Sequence, residues 1–128
     1  MNDKSDKNER CINLDYLNKR TKSNPALMIE IISIFLKQTP PLVKIMTQGL
    51  KAKDCHSLYH TVHKMIPSFS IMGISPDFEN MAKKIQEFTG KKEFPAEIEE
   101  LVLQLENICT QACKELNVEL NLLKNFNI

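Results

Sequence analysis

The sequence contains no tryptophan, only 6% aromatic residues and just three glycines, which are widely spaced. A β-sandwich or β-barrel needs many tight turns and many strands rich in aromatic residues. An all-β fold is therefore not expected. With 128 residues, of which 42% are hydrophobic and 26% charged, the chain is long enough for one domain with a single core. We predict an all-α domain.

Motifs typical of nucleotide-using enzymes and of serine hydrolases are absent from the sequence. There is no glycine-rich phosphate loop, no Gly-x-Ser-x-Gly and no dinucleotide-binding fingerprint. We therefore expect no intrinsic kinase activity. No C-x-x-C pair occurs, which favours a reducing cytoplasm, and the four cysteines are Cys11, Cys55, Cys109 and Cys113.

Long hydrophobic runs are also missing. The longest, residues 27–36, is interrupted by Glu30 and Ser33, and the N-terminus has no apolar stretch that resembles a signal peptide. A membrane helix needs about 20 consecutive apolar residues. We predict a cytoplasmic monomer that does not span a membrane.

The net charge is only +1, but the charges are unevenly placed. Residues 44–92 contain eight lysines and four acidic residues, whereas residues 93–128 contain seven glutamates and two lysines. A basic excess of this size does not indicate nucleic acid binding. It favours docking of the basic part against an acidic protein surface.

Hydrophobic positions recur every three or four residues along most of the chain, which predicts amphipathic helices. Residues 1–10 consist mainly of charged residues, asparagine and serine and are predicted to be a mobile tail. We predict that residues 11–124 form an antiparallel four-helix bundle with a short extra N-terminal helix over residues 14–19. Capping side chains, prolines and glycines mark the other boundaries, with starts at Asn24-Pro25, Asp54, Ser75-Pro76 and near Pro95, and ends at Gly73 and Gly90.

Prolines inside the predicted helices should disturb them. Pro40 and Pro41 remove two backbone donors, so we predict that the helix beginning at Pro25 breaks near residues 38–39 and continues as a second segment. Pro67 should bend the helix in which it lies.

One predicted helix carries three histidines, His56, His60 and His63. At about 100° of rotation per residue, they lie on one side of the helix together with Pro67 and Ser70. The opposite side is apolar and consists of Leu58, Val62, Met65, Phe69 and Met72. We therefore expect the histidines to face solvent, where neutral imidazole is a competent nucleophile.

The spacing after His63 is more specific, because Pro67 follows four residues later and Gly73 ten residues later. This segment resembles the histidine-containing phosphotransfer (HPt) domain of multistep phosphorelays. That family has a phosphorylated histidine, a lysine three residues on, a small residue or proline at the fourth position and a glycine at the tenth. Counting from His60 recovers neither the proline nor the glycine. The stretch Phe-Leu-Lys-Gln-Thr-Pro at 35–40 and the Lys-Asp step at 53–54 are also similar, and the likeness in helix order covers residues ~11–120.

The resemblance implies that His63 accepts a phosphoryl group from an aspartyl phosphate on one receiver domain and passes it to another. The receiver domain would supply Mg²⁺ and the catalytic pocket, so no cofactor is expected on this chain. Around His63 we predict a docking surface for receiver domains of response regulators or hybrid histidine kinases, consisting of His56, His60, Lys64, Ile66, Pro67 and Ser70.

One departure from the family pattern leaves other interpretations open. The position three residues after His63 is Ile66, where the family has a lysine that is thought to help position or neutralise the phosphoryl group. The alternative is a non-catalytic adaptor that binds a receiver or kinase without carrying phosphate. A weaker alternative is a metal-binding bundle that uses the three histidines, but structural zinc sites favour thiolate pairs, so we expect no metal.

Overall fold

The computed structural model describes residues 10–126, and the regular structure in this range is entirely helical. The all-α prediction is therefore confirmed for the described residues. The predicted tail lies outside them, apart from Arg10. The helices are α1 (Asp15–Thr21), α2 (Pro25–Ala52), α3 (Cys55–Ile71), α4 (Pro76–Gly90) and α5 (Glu97–Phe126).

Three of the predicted helix starts are confirmed by side-chain caps. In each, a side-chain oxygen accepts a hydrogen bond from a backbone N–H two or three residues later, which satisfies a donor that the first helical turn leaves free. The capping pairs are Asn24 with Leu27 at 3.2 Å, Asp54 with Ser57 at 3.0 Å and Ser75 with Asp77 at 3.2 Å. The last helix begins at Glu97, two residues after the predicted start.

The prediction of a break at Pro40 and Pro41 is wrong, because α2 continues through both prolines as one helix. Both rings lie on the solvent-exposed side. The buried side of α2 keeps one helical register across them, from Phe35 through Thr39 to Met46. A proline in a helix costs about 3 kcal/mol, whereas each large apolar side chain that is fully buried contributes about 1.5–3 kcal/mol. Continuous packing on the core side therefore outweighs the two lost backbone hydrogen bonds.

The long helices pack around one hydrophobic core. Helix α3 packs against α2 and α4, and α5 packs against the same two helices from the other side, while α1 contacts α2. The apolar side of α3 is fully inside, as predicted from the sequence, with Leu58, Val62, Met65 and Phe69 at 2% exposure or less. The histidine side of the same helix is therefore held toward solvent.

Within residues 10–126, α2 is the one helix whose length and apolar composition would allow it to cross a bilayer. The core helix of a soluble protein passes the same test, so the absence of a membrane span stays a prediction. Only 22% of the most apolar stretch of α2 is buried. Helix α2 accordingly keeps apolar side chains exposed on its outer side, among them Leu27, Ile34 and Ile45.

Residues 10–14, which we call the N-terminal strap, tie α3 to α5. The carboxylate of Glu115 accepts hydrogen bonds from the backbone N–H groups of Cys11 at 3.0 Å and Ile12 at 3.2 Å. The N–H of Asn13 donates to the carbonyl oxygen of Met72 at 2.9 Å. Partial burial of the Glu115 carboxylate acts to raise its pKa, but hydrogen bonds from Gln111, Cys11 and Ile12 outweigh it, and the net pKa is lowered. Glu115 therefore holds the strap as an ionised acceptor.

Gly73 is required where the strap meets the end of α3. Its φ of 68° lies in the left-handed region, which residues other than glycine adopt only at an energetic cost. A Cβ atom at this position would also lie 2.0 Å from the carbonyl oxygen of Asn13. The glycine ten residues after His63 thus has a structural reason that is independent of any phosphotransfer.

We predict that Gly73→Ala lowers the free energy of unfolding by about 2–4 kcal/mol, because it adds left-handed strain and displaces the Asn13–Met72 hydrogen bond. Urea denaturation followed by circular dichroism measures the loss. Gly90→Ala is the matched control: Gly90 is the last residue of α4, and its added Cβ would be 3.4 Å from the Tyr59 ring. We expect this control to change stability by less than about 1 kcal/mol. Equal losses in the two variants would contradict the assignment.

Candidate functional site

His63 is the ninth of the 17 residues of α3 and is exposed to solvent. The structure places the predicted docking-surface residues on the same helix around it. Five of them are exposed, namely His56, His60, Lys64, Pro67 and Ser70, whereas Ile66 is half-buried and packs against the hydrophobic core. The prediction that His56, His60 and His63 face solvent is confirmed. Ile66 lies between this exposed side of the helix and the core.

A residue that sequence reasoning missed, Gln86 of α4, contacts the His63 ring. Its side-chain Nε2 lies 3.1 Å from Nδ1 of His63. The register of the two helices explains the contact: His63 is eleven residues before Ile74, and Gln86 is eleven residues after Ser75. Residues at equal distances from a tight connection lie at the same level of an antiparallel helix pair, since both helices rise by about 1.5 Å per residue. The same rule pairs Tyr59 with Gly90, which are also neighbours.

The Gln86 amide can pair with either tautomer of the His63 ring, because it carries both a donor and an acceptor. As placed, its Nε2–H group donates to an unprotonated Nδ1, and the ring proton is then on Nε2 of the imidazole. Rotation of the amide by 180° about its last bond brings its oxygen to the same place. Nδ1–H of His63 then donates to Gln86 Oε1, and the imidazole Nε2 keeps its lone pair. In this second arrangement the nucleophilic nitrogen of the imidazole is Nε2.

A groove runs beside His63 on the side that faces α2. It has a volume of ≈ 570 Å³ and is lined by Lys37, Gln38, Pro41, Leu42 and Lys64. Two lysines and two apolar side chains thus border the same space. Such a groove fits an acidic surface that also carries apolar groups.

The thiols near the core are not nucleophiles. Burial raises the pKa of Cys109 to about 12 and, together with Glu115, raises that of Cys11 to about 12. Burial also raises the pKa of Cys113. Because the thiolate is the reactive form, the raised pKa values make these three thiols less reactive near neutral pH than an ordinary cysteine. In the part of the chain that the structure describes, no three His, Cys, Asp or Glu residues are grouped so that they could hold a metal ion.

Comparisons with known protein families, curated proteins and solved structures found no match for this chain.

We predict that Gln86→Met changes the balance between the two tautomers of the His63 ring, because it removes the hydrogen bond at Nδ1. In mildly alkaline solution the two ring ¹⁵N shifts of His63 should therefore differ between the parent and the variant. Long-range ¹H–¹⁵N correlation spectra measure these shifts. His56 and His60 are the internal controls, and their ring shifts should not change. Identical His63 shifts in parent and variant would show that Gln86 does not fix the ring.

Proposed function

We propose that this protein is a histidine phosphocarrier of a phosphorelay, in which His63 exchanges a phosphoryl group with aspartyl phosphates of receiver domains. The observation that carries the proposal is the setting of His63. It lies exposed in the middle of a rigid helix, and Gln86 engages its Nδ1. The imidazole Nε2, on the opposite edge of the ring, is then the nitrogen available to a partner. The chain would act in the cytoplasm as a monomer without kinase activity of its own.

The architecture we propose is an antiparallel four-helix bundle, α2–α5, with α1 as a short extra helix at the N-terminus. Helices α2 and α4 each pack against both α3 and α5, so the four long helices surround one core. The connection between α2 and α3 and that between α3 and α4 are short, which favours antiparallel neighbours. In this architecture α3 offers one long exposed side to a partner.

Phosphoryl transfer requires only a few groups from this chain. The lone pair of His63 Nε2 attacks the phosphorus of the aspartyl phosphate, a P–N bond forms, the P–O bond breaks and the aspartate leaves as a carboxylate. The proton on Nδ1 stays there and is held by Gln86 Oε1, which stabilises the positive charge on the phosphorylated ring. The receiver domain supplies Mg²⁺ and the catalytic pocket, and transfer to a second receiver reverses the steps.

The surface next to His63 supports an acidic protein partner. The groove between α2 and α3 carries Lys37 and Lys64. Along α2, exposed charged residues recur every seven positions beside the apolar groups Ile34 and Ile45, in the order Glu30, Lys37, Lys44 and Lys51. A receiver domain whose acidic pocket is rimmed by apolar groups would match both features.

We predict that phosphate transferred from a labelled, phosphorylated receiver domain appears on the parent protein and falls to background in His63→Gln. The label should be acid-labile and base-stable, as expected for phosphohistidine. His60→Gln is the matched control, because His60 is exposed on the same helix one turn earlier. His60 lies in the predicted docking surface, so labelling of this variant should be slowed at most and not abolished. Label on His63→Gln, or none on a parent that binds the receiver, would overturn the carrier assignment.

The second candidate function is a non-catalytic adaptor that binds a receiver or kinase. The observation that favours it is Ile66, which is apolar and half-buried against the core. Such a side chain adds contact area to a docking surface but offers no charge to a phosphoryl group. The adaptor would use the same docking surface, so binding alone does not separate the two functions.

We predict that Ile66→Lys raises the rate of transfer to His63 about three- to tenfold, because a partly exposed cation beside the phosphoryl group contributes about 1 kcal/mol. The stem of the lysine can replace part of the buried area of Ile66 while its ammonium group reaches solvent. Rapid-quench measurement of receiver dephosphorylation gives the rate. Ile66→Met, which adds length without charge, should transfer at the parent rate. Equal rates in the lysine and methionine variants would show that the missing charge does not limit transfer.

A further inference from the structure

We propose that His56 and His60 form a two-histidine binding site for Zn²⁺ on the first turns of α3. The two side chains are four residues apart and therefore lie on the same side of the helix, one turn from each other. Both are exposed. His56 and His60 also belong to the predicted docking surface around His63, but Zn²⁺ binding is measured on the free protein, so its test does not depend on the proposed function.

The distance between the rings fits coordination of one ion. Two imidazoles that bind the same tetrahedral ion, at metal–nitrogen distances of about 2.0–2.1 Å, have ring centres roughly 5–5.5 Å apart. The ring centres of His56 and His60 are 4.4 Å apart and the ring planes are inclined by 62°. Rotation about the side-chain bonds is needed to separate the rings slightly and to turn one nitrogen of each toward the same ion. The helix thus presents the two rings near the separation that a shared ion requires.

The pair also borders a cavity that leaves room for solvent ligands. The cavity has a volume of ≈ 320 Å³ and lies between the start of α3 and the end of α4, and its lining residues are Cys55, His56, Tyr59, His60, Thr89, Gly90 and Lys92. The Tyr59 ring contacts His60 edge-on, with centroids 5.2 Å apart. Lys92 is exposed and its long side chain can turn away from a bound cation.

Zinc is the appropriate ion because neutral imidazole is one of its preferred ligands and because Zn²⁺ does not oxidise the cysteines of this chain. This proposal departs from the expectation, drawn from the sequence, that the chain binds no metal. The structure offers only two ligands here, in agreement with the lack of any three-ligand group among residues 10–126. Water molecules would complete the coordination, so the affinity should be moderate and exchange should be fast.

The test is a Zn²⁺ titration of the full-length protein without a histidine tag, in competition with a chromophoric chelator. We expect His56→Ala and His60→Ala each to weaken Zn²⁺ binding by about tenfold or more, since the second imidazole of a chelating pair binds intramolecularly. His63→Ala is the matched control and should bind Zn²⁺ like the parent. Because all three side chains are exposed, the variants should keep the fold, and circular dichroism checks this.

A second readout locates the ion directly. In long-range ¹H–¹⁵N spectra, Zn²⁺ should shift the ring nitrogens of His56 and His60 and leave those of His63 in place. Unchanged affinity in the His56→Ala variant, or an equal loss in His63→Ala, would overturn the proposed site. Ring shifts at His63 alone would overturn it as well.

Discussion

Burial of the apolar side of α3 is the constraint on which the rest of the structure depends. Leu58, Val62, Met65 and Phe69 lie in the core at almost no exposure, on the helix that packs against α2 and α4, and their burial contributes about 1.5–3 kcal/mol per side chain. Because they occupy one side of a single helix, the other side must face solvent. The exposure of His63 therefore follows from core packing, and any rotation of α3 that buried the histidine would expose this apolar row.

The connection after α3 determines which part of α4 lies beside His63. Gly73 adopts a conformation that brings Asn13 against the chain, and the strap is fixed in turn by Glu115. This arrangement limits how α4 can start and so determines which of its residues lies level with His63. A shift of α4 by one turn would move Gln86 by about 5.4 Å and break its contact with the imidazole. The geometry of the site thus depends on a loop that touches no part of the ring.

The sequence predicted the all-α class, the caps at Asn24, Asp54 and Ser75 and the exposed histidines, because each depends on local spacing and side-chain chemistry. The predicted helix break at Pro40-Pro41 was wrong, because backbone propensity does not include the core packing on the opposite side of α2. It also missed Gln86, although counting outward from the α3–α4 connection would have found it.

Two helices, α1 and α2, end on lysines in the left-handed conformation, Lys22 and Lys53. Because a glycine or asparagine is the usual signal for such an end, the sequence did not mark these two ends.

The position of Ile66 gives the proposed carrier a different charge arrangement from that of the family it resembles. On α3, Ile66 lies about 60° from His63 on the α4 side, and Lys64 lies about 100° away on the α2 side. The only polar contact recorded for the ring in the described structure comes from the uncharged Gln86, also on the α4 side. The cationic groups near the ring, Lys37 and Lys64, line the groove toward α2. A phosphoryl group on the imidazole Nε2 would therefore be drawn toward α2, and a receiver domain that approaches over this groove would meet both lysines.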